Sequence, residues 1–182
     1  KQSRLNKLSK SIALQSTLSI EDHSSCDYKK LDKSNLIVEK GIHIIKKNVV
    51  FEKNYWKISG SHDGYLRKFK TIHEREIEFY PEQMKFIGLD KLLRKDNSKH
   101  IKFDIRFHLN PATKVMKTQD NKSILIELED EGWKFNCDNF DINIDNGIYL
   151  GIKNSYKENQ NICISGICQD ETQTIKWEIT KI

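Results

Sequence analysis

The segment SHDGYLRKFKTIHEREIEF, Ser61 to Phe79, gathers residue types that move protons. His62 and His73 carry imidazoles, whose ordinary pKa of about 6.5 suits a general base near neutral pH. Tyr65 adds a phenol and Arg75 a fixed positive charge, and Asp63 stands close enough in sequence to orient or neutralise either one. Three roles fit this set. The simplest is a hydrogen-bonded polar plug that locks two sheets or docks on a neighbouring domain. A second is a general-base site in which His62 or His73 works beside Tyr65. The third is contact with a sugar without chemistry. Outside the segment, His108 is a surface histidine by pattern, with sugar contact as its other reading; His23, His43 and His100 sit among polar or loop residues. No H-x-H or H-E-x-x-H spacing joins any of the six histidines, so the sequence calls for no metal and no cofactor.

These side chains meet only if the backbone brings them together. Trp56, Ile58, Gly60 and His62 share one parity, Asp63-Gly64 is a turn signal, and Ile77 and Phe79 must face a core in the return strand. The same parity carries His73 and Arg75 onto the apolar side and sends Glu74, Glu76 and Glu78 to water. Burying an arginine and a histidine costs several kcal/mol unless both are hydrogen-bonded. Asp63, Tyr65 or Asp90 must therefore supply partners.

A period of two recurs along the whole chain. Phe103, Ile105, Phe107 and Leu109 alternate with Asp104, Arg106, His108 and Asn110 before Pro111 ends the run. Similar runs cover Ile124 to Leu128, Trp133 to Cys137, Phe140 to Ile144 and Ile175 to Ile179, and earlier ones cover Ser16 to Glu21, Asn35 to Glu39, Gly41 to Ile45, Val49 to Phe51, Tyr55 to Gly60 and Thr71 to Tyr80. Asp120-Asn121, Glu131-Gly132, Asn146-Gly147 and Gly166 followed by a polar stretch read as turns. About a dozen short strands with scarcely any helical periodicity predict an all-β fold, a two-layer antiparallel sandwich. Only Leu5, Leu8 and Ile12 suggest a helical turn.

The 182 residues suit one domain with a real core. The net charge of +5 is uneven: Lys1, Arg4, Lys7 and Lys10 precede the first acid, Glu21, which leaves 27 basic against 26 acidic residues beyond them. That near-neutral body, with lysines interleaved among Asp and Glu, argues against nucleic acid and leaves an anionic sugar polymer as a partner for the basic surface. No apolar run approaches the roughly 20 residues of a membrane-spanning helix. Cys26, Cys137, Cys163 and Cys168 form no paired C-x-x-C knuckles and read as buried thiols, with Cys163 and Cys168 the one pair close in sequence.

SHDGY, the IHEREIEF strand, FDIRFHLNP, SILIELEDEGWKF, IYLGI and the final IKWEITKI occur in an order that resembles the C-terminal β-sandwich of the heparinase II/III-like family of bacterial polysaccharide lyases. The resemblance runs from about Ala13 to Ile182, so residues 1–12 become a basic lead-in and residues 13–182 the sandwich. It implies an upstream α/α toroid domain as partner and an acidic polysaccharide, a glycosaminoglycan among the candidates, as substrate of the whole protein. It also implies β-elimination, in which a base takes the proton alpha to a uronate carboxyl. The family's H-x-H-x-D-like strand, with its catalytic histidine and metal ligands, would lie upstream. Where LQSTLSIED aligns, the family's residue before Ser16-Thr17 is commonly histidine, which in some members helps hold a structural zinc; here it is Gln15, a poor ligand beside imidazole. The expectation is therefore a sandwich that is not catalytic alone, in a periplasmic or cell-envelope lyase, with one sheet face exposing an apolar patch where the rest of the protein docks. The other reading is a non-catalytic carbohydrate-binding or protein-docking β-module; retained lyase or hydrolase activity in this chain alone ranks behind both.

Overall fold

The computed structural model describes residues 9, 11–32, 36–152 and 155–182. Fourteen strands appear among them, in three antiparallel sheets. They are β1 (Leu18–Ile20), β2 (Asp27–Lys30), β3 (Leu36–Lys40), β4 (Ile44–Glu52), β5 (Tyr55–His62), β6 (Thr71–Tyr80), β7 (Lys85–Arg94), β8 (Ile101–His108), β9 (Lys114–Lys117), β10 (Ser123–Glu127), β11 (Gly132–Asn136), β12 (Asp141–Tyr149), β13 (Lys157–Cys168) and β14 (Thr172–Lys181). One helical turn, α1 (Leu66–Phe69), and two 3-10 turns, Ile12–Leu14 and Pro81–Gln83, interrupt them. Eight strands form one sheet in the order β4-β5-β6-β7-β14-β11-β10-β9; four form a second, β1-β8-β13-β12; β2 and β3 make a separate hairpin. This is the all-β sandwich that the alternation predicts. Among the described residues no helix is long and apolar enough to cross a membrane.

Several local expectations change. Gly41 to Ile45 and Val49 to Phe51 belong largely to one strand, β4, with a register shift between Ile44 and Lys46. Asp63-Gly64 does not close a two-residue hairpin, because α1 intervenes before β6 and Lys70, not a glycine, adopts the left-handed conformation that ends it (φ 52°). Asn146-Gly147 lies inside strand β12 and Gly166 inside β13, while the polar stretch after Gly166 makes the turn between β13 and β14. Gly147 and Gly166 are glycines for want of space rather than for turning: a Cβ on Gly166 would stand 2.6–2.8 Å from the rings of Phe103 and Phe140. The helical turn read from Leu5, Leu8 and Ile12 lies mostly outside the described residues.

The two layers meet over β7, β14, β11 and β10, where Ile105, Ile124, Phe135, Ile162, Ile164 and Ile175 are fully buried. Phe107 of the smaller sheet packs edge-on against Trp177, 4.7 Å between centroids, and 5.0 Å from Phe135. Four strands cannot cover eight. Register aligns Phe51, Trp56, Phe79, Phe86, Ile179 and Phe135 in one row across six strands of the large sheet, all on its core face. Phe135 is at 0% exposure, while Trp56 is at 40% and Phe51 at 74%. The next row repeats the gradient from Trp177 to Ile58 at 61% and Val49 at 58%. The core face of β4 and β5 therefore runs out into the open.

Candidate functional site

Register sets His62 opposite His73, Gly60 opposite Arg75, and Arg75 opposite Asp90, so β5, β6 and β7 hold the cluster side by side. Asp90 is its centre and is fully buried. Its Oδ1 accepts from His73 Nε2 at 2.6 Å and from Arg75 Nε at 2.7 Å; its Oδ2 accepts from Arg75 Nη2 at 3.1 Å and from the Trp177 indole N–H at 2.9 Å. Gly88 makes the last contact available, since a Cβ there would fall 2.0 Å from the Trp177 ring. The remaining Arg75 nitrogen donates to the Ser16 carbonyl at 2.9 Å, and the guanidinium lies 5.9 Å from the Phe107 centroid.

The donors fix both histidine tautomers. The Gly64 N–H donates to His62 Nδ1 at 3.1 Å, so that nitrogen is bare and His62 Nε2 carries the proton. It donates to His73 Nδ1 at 3.2 Å, and His73 in turn donates through Nε2 to Asp90. Protonating either ring would set two N–H groups against each other. Burial, reinforced by the neighbouring His73, pushes His62 down to about 4. Burial pushes Asp90 upward, but the His73 hydrogen bond and the Arg75 charge outweigh it and hold the carboxyl below its ordinary value.

Tyr65 and Asp63 lie beside this relay rather than in it. The Tyr65 hydroxyl is buried and donates to the Leu18 carbonyl at 2.6 Å, its ring 5.9 Å from His62, and burial raises its pKa. Asp63 accepts from the His43 N–H at 2.8 Å. Of the three partners that sequence reasoning offered for His73 and Arg75, Asp90 alone serves. Trp177 was missed as a fourth member. Its signal was its even spacing from Ile175 and Ile179, which sets it on the core face with an indole N–H that must find an acceptor. Glu74, Glu76 and Glu78 form the outer row with Lys46, Lys57 and Lys91. His108 sits on the outer face of β8, opposite Asn161 of β13. The four cysteines are free, and Cys163 and Cys168, an odd number of residues apart on β13, point to opposite faces. Gln15 donates to the Ser9 carbonyl, and no cluster of three His, Cys, Asp or Glu residues suited to a metal occurs among the described residues.

The cluster is closely hydrogen-bonded around the Asp90 carboxylate. Each ring nitrogen is committed, both carboxylate oxygens are saturated, and the Tyr65 phenol is spent on a carbonyl with its pKa raised. The two imidazoles hold their protons in hydrogen bonds within the cluster. The contacts from Arg75 on β6 and from Tyr65, which caps α1, reach Ser16 and Leu18 in the segment carrying β1 of the small sheet.

Residues 2–178 match the family model for the heparinase II/III-like C-terminal region. The chain belongs to this family. Two solved structures of a heparinase III, the BT4657 gene product, superpose with TM-scores of 0.65 and 0.69 at 13% and 11% identity, over 92% and 98% of this chain. The heparinase II/III-like chain spans only 23% and 25% of those proteins, about a quarter of their length. No curated relative matches the sequence.

Proposed function

We propose that this chain is the C-terminal β-sandwich, residues 13–182 behind a basic lead-in of residues 1–12, of a polysaccharide lyase that cleaves acidic glycans by β-elimination. In this reading it is a structural partner of the domain that takes the substrate proton. Its cluster of His62, Asp63, Tyr65, His73 and Arg75 is the polar plug that ties the sandwich layers together. The observation that carries the proposal is the aromatic row that leaves the core at Phe86 and ends exposed at Trp56 and Phe51. A contiguous apolar face of this kind on one side of a sheet marks an interaction surface. The occupant proposed for it is the preceding part of the same polypeptide, the α/α toroid that the family resemblance implies; the relatives' chains, about four times longer than this one, leave room for it.

The test is the absorbance of unsaturated uronate produced from heparan sulfate, hyaluronan or alginate. The 182-residue chain is expected to produce none, and a polypeptide extended upstream to include the preceding domain is expected to be active. Hydrogen exchange should then show β4 and β5 protected only in the longer protein. Product formed by the 182-residue chain would overturn the assignment.

A further inference from the structure

Near the His62 end of β5, three segments far apart in sequence close around a groove of about 470 Å³. They are the β2–β3 hairpin, the α1 turn and the connection from β7 to β8. Gly64, just before α1, lets the first two meet: a Cβ on it would stand 2.6 Å from the Ser25 carbonyl oxygen and 2.8 Å from the Ile42 side chain. The Lys95 N–H donates to the Lys70 carbonyl at 2.7 Å and so docks the third segment on the end of α1. Lys40, Arg67, Lys70 and Lys95 line the groove and are all exposed, against two carboxylates, Asp27 and Asp63.

Both carboxylates are engaged. Asp27 holds the Arg67 guanidinium, and Asp63 accepts the His43 N–H at 2.8 Å. Among the described residues no ion pair forms at Lys40, Lys70 or Lys95. The acids beyond the lining do not restore the balance. Glu39 pairs with Lys29, Asp32 in the β2–β3 connection does not line the groove, and Asp96, the one acid in the β7–β8 connection, accepts the Ser98 N–H at 2.9 Å. Residues outside the described ones include no Asp or Glu, so none of them offsets the positive excess. The volume lies within the roughly 300–1,000 Å³ of small-molecule sites. Ammonium groups on flexible stems pair as point charges with carboxylates or sulfates. No aromatic side chain lines the groove among the described residues, so the stacking that holds single-stranded nucleic acid is missing.

We propose that this groove binds a short stretch of an acidic polysaccharide, whose carboxylate or sulfate groups face Lys40, Lys70 and Lys95. The choice of polymer rests on the lyase reading. Trp56 and His62 stand about 20 Å apart along β5 at the usual rise per strand residue, so the groove and the exposed aromatic row can be altered separately.

The test is titration of the 182-residue chain, followed by amide NMR, with an alginate tetrasaccharide, which carries carboxylates alone, and a heparan sulfate tetrasaccharide, which adds sulfates. Cellotetraose serves as the neutral sugar and tetraglutamate as the anion that is not a sugar. At least one acidic tetrasaccharide should shift the Gly41, Gly64 and Lys70 signals saturably, at lower concentration than tetraglutamate, and cellotetraose should shift none. The exposed substitutions Lys40→Gln, Lys70→Gln and Lys95→Gln, combined in one chain whose thermal midpoint confirms that it folds, should weaken binding about tenfold. Lys1→Gln, Arg4→Gln, Lys7→Gln and Lys10→Gln, combined in another, should leave it unchanged. Four results would each overturn the proposal: no saturable shift at these amides, equal binding of tetraglutamate or cellotetraose, unchanged affinity in the groove variant, or a loss confined to the lead-in variant. The absorbance assay on the polypeptide extended upstream keeps the two readings apart. Unsaturated uronate formed without groove binding would remove the groove alone, and groove binding without uronate would remove the lyase reading alone.

Discussion

Arg75 and Asp90 show how a buried charge is kept in a β-sandwich. Three further groups tie the pair down: the His73 imidazole, the Trp177 indole and the Ser16 carbonyl. Arg75→Met keeps most of the side chain's volume and removes two of the four contacts to the carboxylate. It is expected to cost about 3 kcal/mol, because it leaves a buried anion only partly compensated. The measurement is the urea midpoint at unchanged m-value. His62 adds a pH dependence of definite sign. Its folded pKa of about 4 lies below the unfolded value near 6.5, so between those values the unfolded chain binds more protons. Stability should therefore fall as pH drops from 6.5 to 4, by on the order of 3 kcal/mol at the limit. Asp90 extends the loss further down, as pH falls through its own lowered pKa. His62→Asn should flatten the upper window and leave the lower one, as read by thermal unfolding across pH.

At the scale of the strand, β7 shows why part of the site was hard to read. Its core-facing positions are Phe86, Gly88, Asp90 and Leu92, so two of the four are not apolar and the alternation that exposes β6 and β8 is masked. The parity of His62, His73 and Arg75 was legible because Trp56, Ile58, Ile77 and Phe79 flank them with large apolar groups. Which of the three candidate partners would serve them was not, since that depends on a neighbouring strand whose pattern is interrupted by the very residues that form the site. Asn146-Gly147 and the Gly166 position misled for a related reason, whereas Asp120-Asn121 and Glu131-Gly132 fall at the β9–β10 and β10–β11 connections. Gly88, Gly147 and Gly166 make room for Trp177, Asn159 and two phenylalanines, and sequence alone does not separate that use of glycine from turning. Gly88→Ala tests the point. The new methyl would have to displace the Trp177 ring and break its bond to Asp90, at a cost of about 3 kcal/mol from overpacking and a lost charge-assisted hydrogen bond. Near-ultraviolet circular dichroism should report the displaced indole together with a lower midpoint.

Across the whole molecule, the mismatch between eight strands and four decides what the sandwich can be. Phe51, Trp56, Ile58 and Val49 are set by register on the face that elsewhere is the core, and the outer row of glutamates and lysines on β5 and β6 leaves them no second apolar layer to join. Ordinary surface mutations away from special contacts change stability by less than about 0.5 kcal/mol, whereas fully burying a large apolar side chain contributes roughly 1.5–3 kcal/mol. The double substitution Phe51→Ser, Ile58→Thr therefore has different consequences in the two lengths of chain. In the 182-residue chain both side chains are already mostly in water, so the midpoint should stay within about 1 kcal/mol of the parent while solubility rises. In a polypeptide that includes the preceding domain, the same change should cost about 3–6 kcal/mol of interdomain stability, seen as separate unfolding of the two parts by calorimetry. Equal small effects in both chains would show that some other surface faces the rest of the protein, and the exposed aromatic row would then need a different occupant.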